Sequence, residues 1–181
     1  MAGKRPAWAQ FPFALRPLCA TLTRMFSHVD RKNLAAMVDV GAKPVSRRTA
    51  HARAVVVLPA GLAARLADGD IATKKGPIFQ TAILAGVMAA KKTSELIPLC
   101  HPLPLEDCQI AIAAAPGGEV TIDCRVRTHA KTGVEMEALT GACVAALTVY
   151  DMAKAAAHGI VIKEVRLVEK TGGRHHYRTA P

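Results

Sequence analysis

The strongest constraint on the fold is a run, residues 120–127, in which apolar and polar side chains alternate. The apolar positions are Val120, Ile122, Cys124 and Val126, and the polar positions are Thr121, Asp123, Arg125 and Arg127. Side chains on a β-strand point to opposite faces in turn, so the run predicts a strand with one buried and one solvated face. The Pro116-Gly-Gly-Glu119 sequence before it predicts a hairpin with a preceding strand.

Two further strands are predicted outside this hairpin. Residues 52–58 form a β-branched run that ends at Pro59, and residues 160–169 form a final run that we also interpret as a strand. Short runs of this composition between turn residues are typical of strands. The residues that follow the last run, 172–177, predict a loop.

Helical periodicity occupies the intervals between the strands. Pro77 suits the first turn of a helix, and apolar residues then recur on one face as far as Ala90. Residues 134–158 are rich in Ala and are followed by Gly159, which predicts a second long helix. A shorter helix is predicted at residues 61–67.

The predicted order is therefore strand, helix, strand, strand, helix, strand. This is the split βαβ, or ferredoxin-like, arrangement of α+β proteins, in which helices pack on one face of an antiparallel sheet. Residues 71–76 are predicted to form a loop, and the Pro98-Leu-Cys-His-Pro-Leu-Pro104 segment a stiff, ordered one, because its prolines exclude a helix. The fold hosts many functions, so function has to be argued from individual residues.

Charge and aromatic content narrow the class of partner. The formal net charge is +10 and the pI is about 9.8, which favours an anionic ligand. Only Phe79, Tyr150 and Tyr177 supply aromatic rings beyond residue 29, whereas single-stranded nucleic acid is usually held by rows of stacking aromatics. We therefore expect a phosphate-rich small molecule rather than nucleic acid, and the absence of a long apolar run argues against a membrane.

The cysteines indicate the compartment. There are five, at Cys19, Cys100, Cys108, Cys124 and Cys143. Their number is odd and no two are spaced as the Cys-x-x-Cys pair of a zinc site, so no metal site is predicted. We expect reduced thiols that mostly pack in the core and a cytoplasmic protein.

The N-terminal residues differ from the rest of the chain. Residues 1–29 hold four basic and no acidic residues, the only Trp and three of the four Phe. They lack the apolar core and cleavage site of a secretory signal. Two readings remain open: a short disordered extension, or an upstream start codon with Met25 as the true start. We place the extension at residues 1–27 and a single domain at residues 28–181.

An acid and an amine near the end of the second long helix are candidates for chemistry. Glu137 and Asp151 are fourteen residues apart, nearly four whole turns, and so share a face. Asp151 and Lys154 are three apart and can touch. The pair can be an ordinary exposed ion pair or a catalytic one. The apolar residues around it favour partial burial.

Carboxylates also open this helix, at Glu135 and Glu137. These carboxylates can simply stabilise the helix by their interaction with the positive end of its dipole. Alternatively, they can accept hydrogen bonds from the N–H groups of a guanine-like ring. His101, in the proline-braced loop, is either structural or a preorganised ligand contact.

Basic residues cluster before the first strand and in the 71–76 loop. They are Lys43, Arg47, Arg48 and Lys75. Any one of them can be a solvated surface charge, but together they supply the cations that a triphosphate needs. No Gly-x-x-x-x-Gly-Lys-Ser/Thr motif is present, which excludes a P-loop site.

Several unusual strings closely resemble those of the cyclic pyranopterin monophosphate synthase family. The longest are Lys131-Thr-Gly-Val-Glu-Met-Glu-Ala-Leu-Thr140 and Ala145-Ala-Leu-Thr-Val-Tyr-Asp-Met-Ala-Lys154. The others are Met37-Val-Asp-Val40, Ala85-Gly-Val-Met-Ala-Ala-Lys91, Leu96-Ile-Pro-Leu-Cys-His-Pro102 and Lys170-Thr-Gly-Gly173. The resemblance runs from about His28 to Gly173.

The resemblance implies an activity and a set of residues. The family is a lyase family of molybdenum cofactor biosynthesis that converts (8S)-3',8-cyclo-7,8-dihydroguanosine 5'-triphosphate to cyclic pyranopterin monophosphate and pyrophosphate. By resemblance the catalytic residues are Asp151, Lys154 and Lys75. The segments that contact substrate are Leu99, Cys100 and His101, and Met136 with Glu137. Basic positions of the pocket are Lys43, Arg48, Lys91 and Lys170.

The resemblance also implies a homohexamer, a trimer of dimers with sites at subunit interfaces, and no cofactor. Whether Mg²⁺ accompanies the triphosphate stays open. For the chemistry, we expect neighbouring cations to lower the pKa of Lys154 and Asp151 to orient it, so that the amine serves as acid and base.

The chain departs from the family pattern at two places. It has Lys75-Gly-Pro77 where many relatives have Lys-Gly-Asp, so no acidic role is placed there. Its tail reads Gly-Gly-Arg-His-His-Tyr, which leaves the role of Lys170 and its loop open. Two other classes remain as alternatives: a ferredoxin-like nucleic-acid-binding module, and an enzyme that forms a Schiff base through Lys75 or Lys154.

Overall fold

A computed structural model of the chain describes residues 34–65 and 69–179. The unit that begins at Asp39 is compact and contains the helices and strands given below. The predicted extension and the last two residues of the predicted short helix, 66 and 67, lie outside the described residues.

Five strands form an antiparallel sheet in the order β4-β5-β1-β6-β7. They are β1 Ser46–Val57, β4 Asp107–Ala114, β5 Glu119–Ala130, β6 Val161–Thr171 and the short β7 Tyr177–Arg178. A separate two-stranded hairpin joins β2 Ala72–Thr73 to β3 Gly76–Pro77. The helices are α1 Ala60–Ala63, α2 Ile78–Lys91, α3 Thr93–Leu96 and α4 Glu135–Ala153.

The predicted ferredoxin-like fold is confirmed. The long elements follow the order β1, α2, β4, β5, α4, β6, and both long helices bury residues in one core with one face of the sheet. The alternation in β5 is also confirmed, because its apolar side chains from Val120 to Val126 are buried and those between them are not. Among the described residues, no helix is long and apolar enough to cross a membrane.

Several boundaries differ from the predicted ones. β1 begins six residues before the predicted start, because its polar first half pairs with β5 as far as Ala130. Helix α4 ends at Ala153 rather than His158, since the Ala156 N–H bonds the Ala153 carbonyl in a tighter turn. The predicted tail loop includes the short strand β7, and the predicted 71–76 loop contains the β2–β3 hairpin.

Helices α2 and α4 approach each other closely at two glycines. A Cβ at Gly86 would lie 2.8 Å from the Gly141 carbonyl oxygen and would collide with the Ile110 side chain. A Cβ at Gly141 would lie 3.3 Å from the Gly86 carbonyl oxygen and 2.7 Å from the Cys124 sulfur. These contacts leave room for no side chain at either position, and they fix the two helices against each other and the sheet.

We predict that Gly86→Ala destabilises the fold by about 1–3 kcal/mol, because overpacking outweighs the gain in helix propensity. Gly61→Ala is the matched control, since a Cβ at this helical glycine meets nothing within 4 Å. Urea unfolding of both variants measures the effect. Equal stability of Gly86→Ala and wild type would show that the helices can separate at little cost.

Candidate active site

The three predicted catalytic side chains come together at the C-terminal end of α4. The Lys154 Nζ lies 2.7 Å from Asp151 Oδ1, and the Lys75 Nζ lies 3.7 Å from Asp151 Oδ2. Lys75 sits at the tip of the β2–β3 hairpin, 76 residues before Asp151, yet it approaches the second oxygen of the same carboxylate. The acid thus contacts two amines from different elements.

The predicted partial burial of this cluster is wrong. The side chains of Asp151 and Lys154 are 56% and 58% exposed, and their apolar neighbours Leu147 and Tyr150 are exposed as well. Val149 and Met152 fill the core, whereas Asp151 and Lys154 lie on the outward side of the helix. The apolar neighbours in the sequence therefore do not cover the acid and the amine.

The predicted lowering of the Lys154 pKa is also wrong for this arrangement. The hydrogen bond to Asp151 and the charge of that carboxylate raise the pKa of Lys154 above its usual value. The same hydrogen bond, with the charges of Lys154 and Lys75, lowers the pKa of Asp151. In an exposed cluster, attraction within the pair outweighs desolvation, so both groups are held in their charged forms.

A second group of predicted residues lies at the opposite end of α4. The Lys170 Nζ lies 2.7 Å from Glu135 Oε1, where β6 passes the first turn of the helix. Arg48 donates its Nε–H to the Ala130 carbonyl at 3.3 Å, which directs its guanidinium to the same place. With Lys43 these residues line a cavity of about 620 Å³. The structure thus brings Lys43, Arg48, Glu135 and Lys170 together, as the cation-lined pocket requires.

Three basic residues of this cavity were not singled out from the sequence as candidates for the site. They are Lys131, Arg174 and His175. Lys131 begins one of the strings that carry the family resemblance, and its Nζ donates to the Gly41 carbonyl at 2.6 Å. Arg174 and His175 reach the cavity because Gly172, at φ 88°, turns the chain after β6. The Gly172-Gly173 pair predicts a turn, but no local pattern predicts that the turn directs Arg174 and His175 to this cavity.

Glu137 stands apart from the other acids because it is almost completely buried. Its residue is only 4% exposed, and burial raises its pKa to about 7, with a smaller contribution from the charge of Glu135. Burial also raises the pKa of Cys100, as does the nearby charge of Glu137. The Leu99-Cys100-His101 segment is half-buried and lies near the first turn of α4, whose Met136 is 37% exposed.

Lys91 does not join either group within one chain. It lines a different cavity of about 430 Å³ with Leu103 and Cys108. Within the described residues, no cluster of His, Cys, Asp and Glu has the geometry of a metal site.

The two groups are separated by the length of α4. Glu135 and Asp151 are sixteen residues apart on one helix, which at 1.5 Å per residue is about 24 Å. The cation-lined cavity and the Asp151 cluster therefore do not form one pocket in a single chain. The two groups can bind one ligand only if the cavity of one chain lies beside the Asp151 cluster of another chain.

Comparison with known proteins points to one family. A model of the MoaC family matches residues 37–173. The cyclic pyranopterin monophosphate synthase of Xanthomonas oryzae pv. oryzae (strain MAFF 311018) is 50% identical over 148 residues, which cover 82% of this chain and 90% of that protein. The protein of the same name from Heliobacterium modesticaldum (strain ATCC 51547 / Ice1) is 50% identical over 153 residues, 83% of this chain and 95% of that protein.

A longer protein is similar over the same part of the chain. Molybdenum cofactor biosynthesis protein 1 of Dictyostelium discoideum is 45% identical over 166 residues, 82% of this chain but 26% of that protein. The chain thus spans about a quarter of the length of this relative and nearly all of the two bacterial ones.

We predict that the free energy of unfolding falls as the pH rises from 4.5 to about 7, the two pKa values of Glu137 in the unfolded and folded chain. The pKa of Glu137 is raised from 4.5 to about 7, so within this window the folded protein keeps a proton that the unfolded chain releases. The free energy of unfolding should therefore fall by about 2–3 kcal/mol between these pH values and then level off.

Glu137→Gln should lack this contribution, and Glu119→Gln, a change to an exposed carboxylate, should retain it. Urea unfolding at pH 4.5 and pH 7.5 supplies the comparison. The same pH dependence in Glu137→Gln and wild type would contradict the burial of a protonated acid.

Proposed function

The chain belongs to the MoaC family, and on that premise we propose that it is a cyclic pyranopterin monophosphate synthase. The lyase converts (8S)-3',8-cyclo-7,8-dihydroguanosine 5'-triphosphate to cyclic pyranopterin monophosphate and pyrophosphate, an early step of molybdenum cofactor biosynthesis. The observation that carries the proposal is the contact of Lys75 and Lys154 with the two oxygens of Asp151. Lys75 is distant in sequence from the other two residues, and the family resemblance assigns catalysis to all three.

The cluster provides proton transfer. Rearranging the purine and ribose into a pyranopterin requires protons to be added and removed repeatedly, and a positioned amine and acid can do both. Asp151 keeps Lys154 protonated in the exposed cluster, so Lys154 starts as the acid. A charged amine is a poor nucleophile, which favours acid–base chemistry over a Schiff base.

The cavity at the other end of α4 provides charge neutralisation. Closing a cyclic phosphate and releasing pyrophosphate requires cations at the triphosphate, where negative charge develops. Lys43, Arg48, Lys131 and Arg174 line the cavity with Lys170, whose charge is partly compensated by Glu135. The reaction needs no cofactor held by the protein, and any Mg²⁺ would arrive with the triphosphate.

The separation of the two groups supports a site shared between chains. A nucleotide triphosphate is too short to span about 24 Å, the rise of α4 between them. The homohexamer implied by the resemblance, a trimer of dimers, would place the Asp151 cluster of one chain at the cavity of its neighbour. Exposed apolar side chains on both long helices offer surface for such contacts: Leu84, Met88, Leu147 and Tyr150.

The proposal places the enzyme in the cytoplasm. The four cysteines within the described residues are free thiols, the state in which a reducing compartment keeps them.

We predict that Lys154→Ala and Asp151→Ala each reduce product formation by at least about 100-fold, because each removes part of the proton-transfer pair. Both should fold, since the side chains are more than half exposed. Lys163→Ala is the matched control, a lysine 61% exposed and paired with Glu119 at 3.4 Å. Mass spectrometry of product and pyrophosphate after incubation with the cyclised GTP gives the result. Full activity in both variants would refute the proposed function.

We also predict that two inactive variants complement each other. Lys154→Ala and Lys170→Ala alter opposite ends of α4, so mixed oligomers of the two should recover about a quarter of the wild-type sites if each site combines the ends of two chains. The variants are co-expressed with different tags and the mixed oligomers are isolated by both tags. A mixture of Lys154→Ala with Asp151→Ala, altered at the same end, should recover none, and no recovery in the first mixture would rule out shared sites.

A further inference from the structure

The first turn of α2 has an unusual cap. Its N-cap residue is Pro77, which has no backbone N–H and whose side chain accepts no hydrogen bond. The first N–H groups of a helix have no partner inside it. In α2 the first three N–H groups donate hydrogen bonds to residues 70 and 71, which precede the helix. The Ile78 N–H donates to the Ile71 carbonyl at 3.1 Å.

The other two N–H groups bond to the side chain of Asp70. The Phe79 N–H donates to Asp70 Oδ1 at 2.8 Å, and the Gln80 N–H donates to Asp70 Oδ2 at 3.0 Å. The Ile71 N–H also donates to Oδ1, at 2.6 Å. One carboxylate therefore accepts three backbone N–H groups and ties residues 70–71 to the start of the helix.

Between these tied ends lies the hairpin that carries Lys75. Ala72 pairs with Pro77, and Thr73 pairs with Gly76. The Thr73 hydroxyl donates to the Gly76 carbonyl at 2.9 Å and accepts from the Lys75 N–H at 3.1 Å. The hairpin has only two strand residues on each side, and such short hairpins are not stable alone. Its position therefore depends on how its base is held.

We propose that Asp70 is a positioning residue for Lys75, which it holds in reach of Asp151 by closing the base of the hairpin on α2. The inference rests on the proposed function, in which Lys75 takes part in catalysis. Asp70 acts on Lys75 only through the backbone. Its carboxylate holds the N–H groups of residues 71, 79 and 80, and the hairpin between residues 71 and 79 positions the Lys75 amine. The Lys75 Nζ reaches 3.7 Å from Asp151 Oδ2 in this arrangement.

A pair of variants separates positioning from simple helix capping. Asp70→Ala removes both the cap and the tie. Asp70→Ala with Pro77→Asp puts an acceptor at the N-cap itself, where φ −70° and ψ 130° suit a capping side chain for the same N–H groups. The double variant restores the cap but lacks the carboxylate that joins residue 71 to residues 79 and 80, so that only the Ile78–Ile71 backbone hydrogen bond still ties residue 71 to the helix.

The measurements are kcat and KM with the cyclised GTP, the melting temperature, and hydrogen exchange of residues 71–77. We expect Asp70→Ala to lower both kcat, by about tenfold or more, and the melting temperature. In the double variant the melting temperature should recover, while kcat stays low and exchange of residues 71–77 stays fast. Lys74→Ala, a change to the exposed neighbour of Lys75 in the same hairpin, should keep the wild-type kcat.

Each other outcome has a separate meaning. Recovery of kcat together with the melting temperature in the double variant would make Asp70 only a cap and overturn the inference, as would an unchanged kcat in Asp70→Ala. An inactive wild-type enzyme would instead refute the proposed function. Hydrogen exchange then still decides the inference, because wild-type protection of residues 71–77 in the double variant would show that Asp70 does not hold the hairpin.

Discussion

The contact between the backbones of α2 and α4 at Gly86 and Gly141 determines where the acid and the amines lie. Gly86 adjoins Gly141 and Ala145, and Gly141 adjoins Ala90, so the helices run antiparallel. The start of α2 is therefore beside the end of α4. This arrangement brings the hairpin before α2 to Asp151. A larger residue at either glycine would move the helices apart and with them Lys75 and the carboxylate.

Much of the fold can be predicted from the sequence because its signals are local. The alternation in β5, the apolar periodicity of α2 and the Ala-rich composition of α4 depend on neighbours a few positions away. The exposure of Asp151 was mispredicted because apolar neighbours in a helix cover only one side: Val149 and Met152 face the core, and Asp151 does not. The helical period placed Asp151 on the face of Glu137, but an interval of fourteen residues falls about 40° short of four turns, and Glu137 is buried whereas Asp151 is exposed.

Other parts of the site depend on contacts that no local pattern reveals. Asp70 caps a helix that begins eight residues later, although the N-cap position itself holds a proline. Arg174 and His175 reach the cation-lined cavity only because the chain turns back at Gly172. Resemblance assigned Lys43, Arg48, Lys91 and Lys170 to one pocket, and the structure brings all of them except Lys91 together. The structure also places these basic residues at the opposite end of α4 from Asp151. Matching single residues to a family pattern does not predict this distance.

The two acids of α4 have opposite protonation tendencies because their surroundings differ. Burial raises the pKa of Glu137 to about 7, whereas two lysines lower the pKa of Asp151. Pairs of groups whose surroundings move their pKa values apart commonly divide acid and base work between them. Glu137 can exchange a proton near neutral pH beside the Cys100 loop, while Asp151 stays ionised and holds the amines.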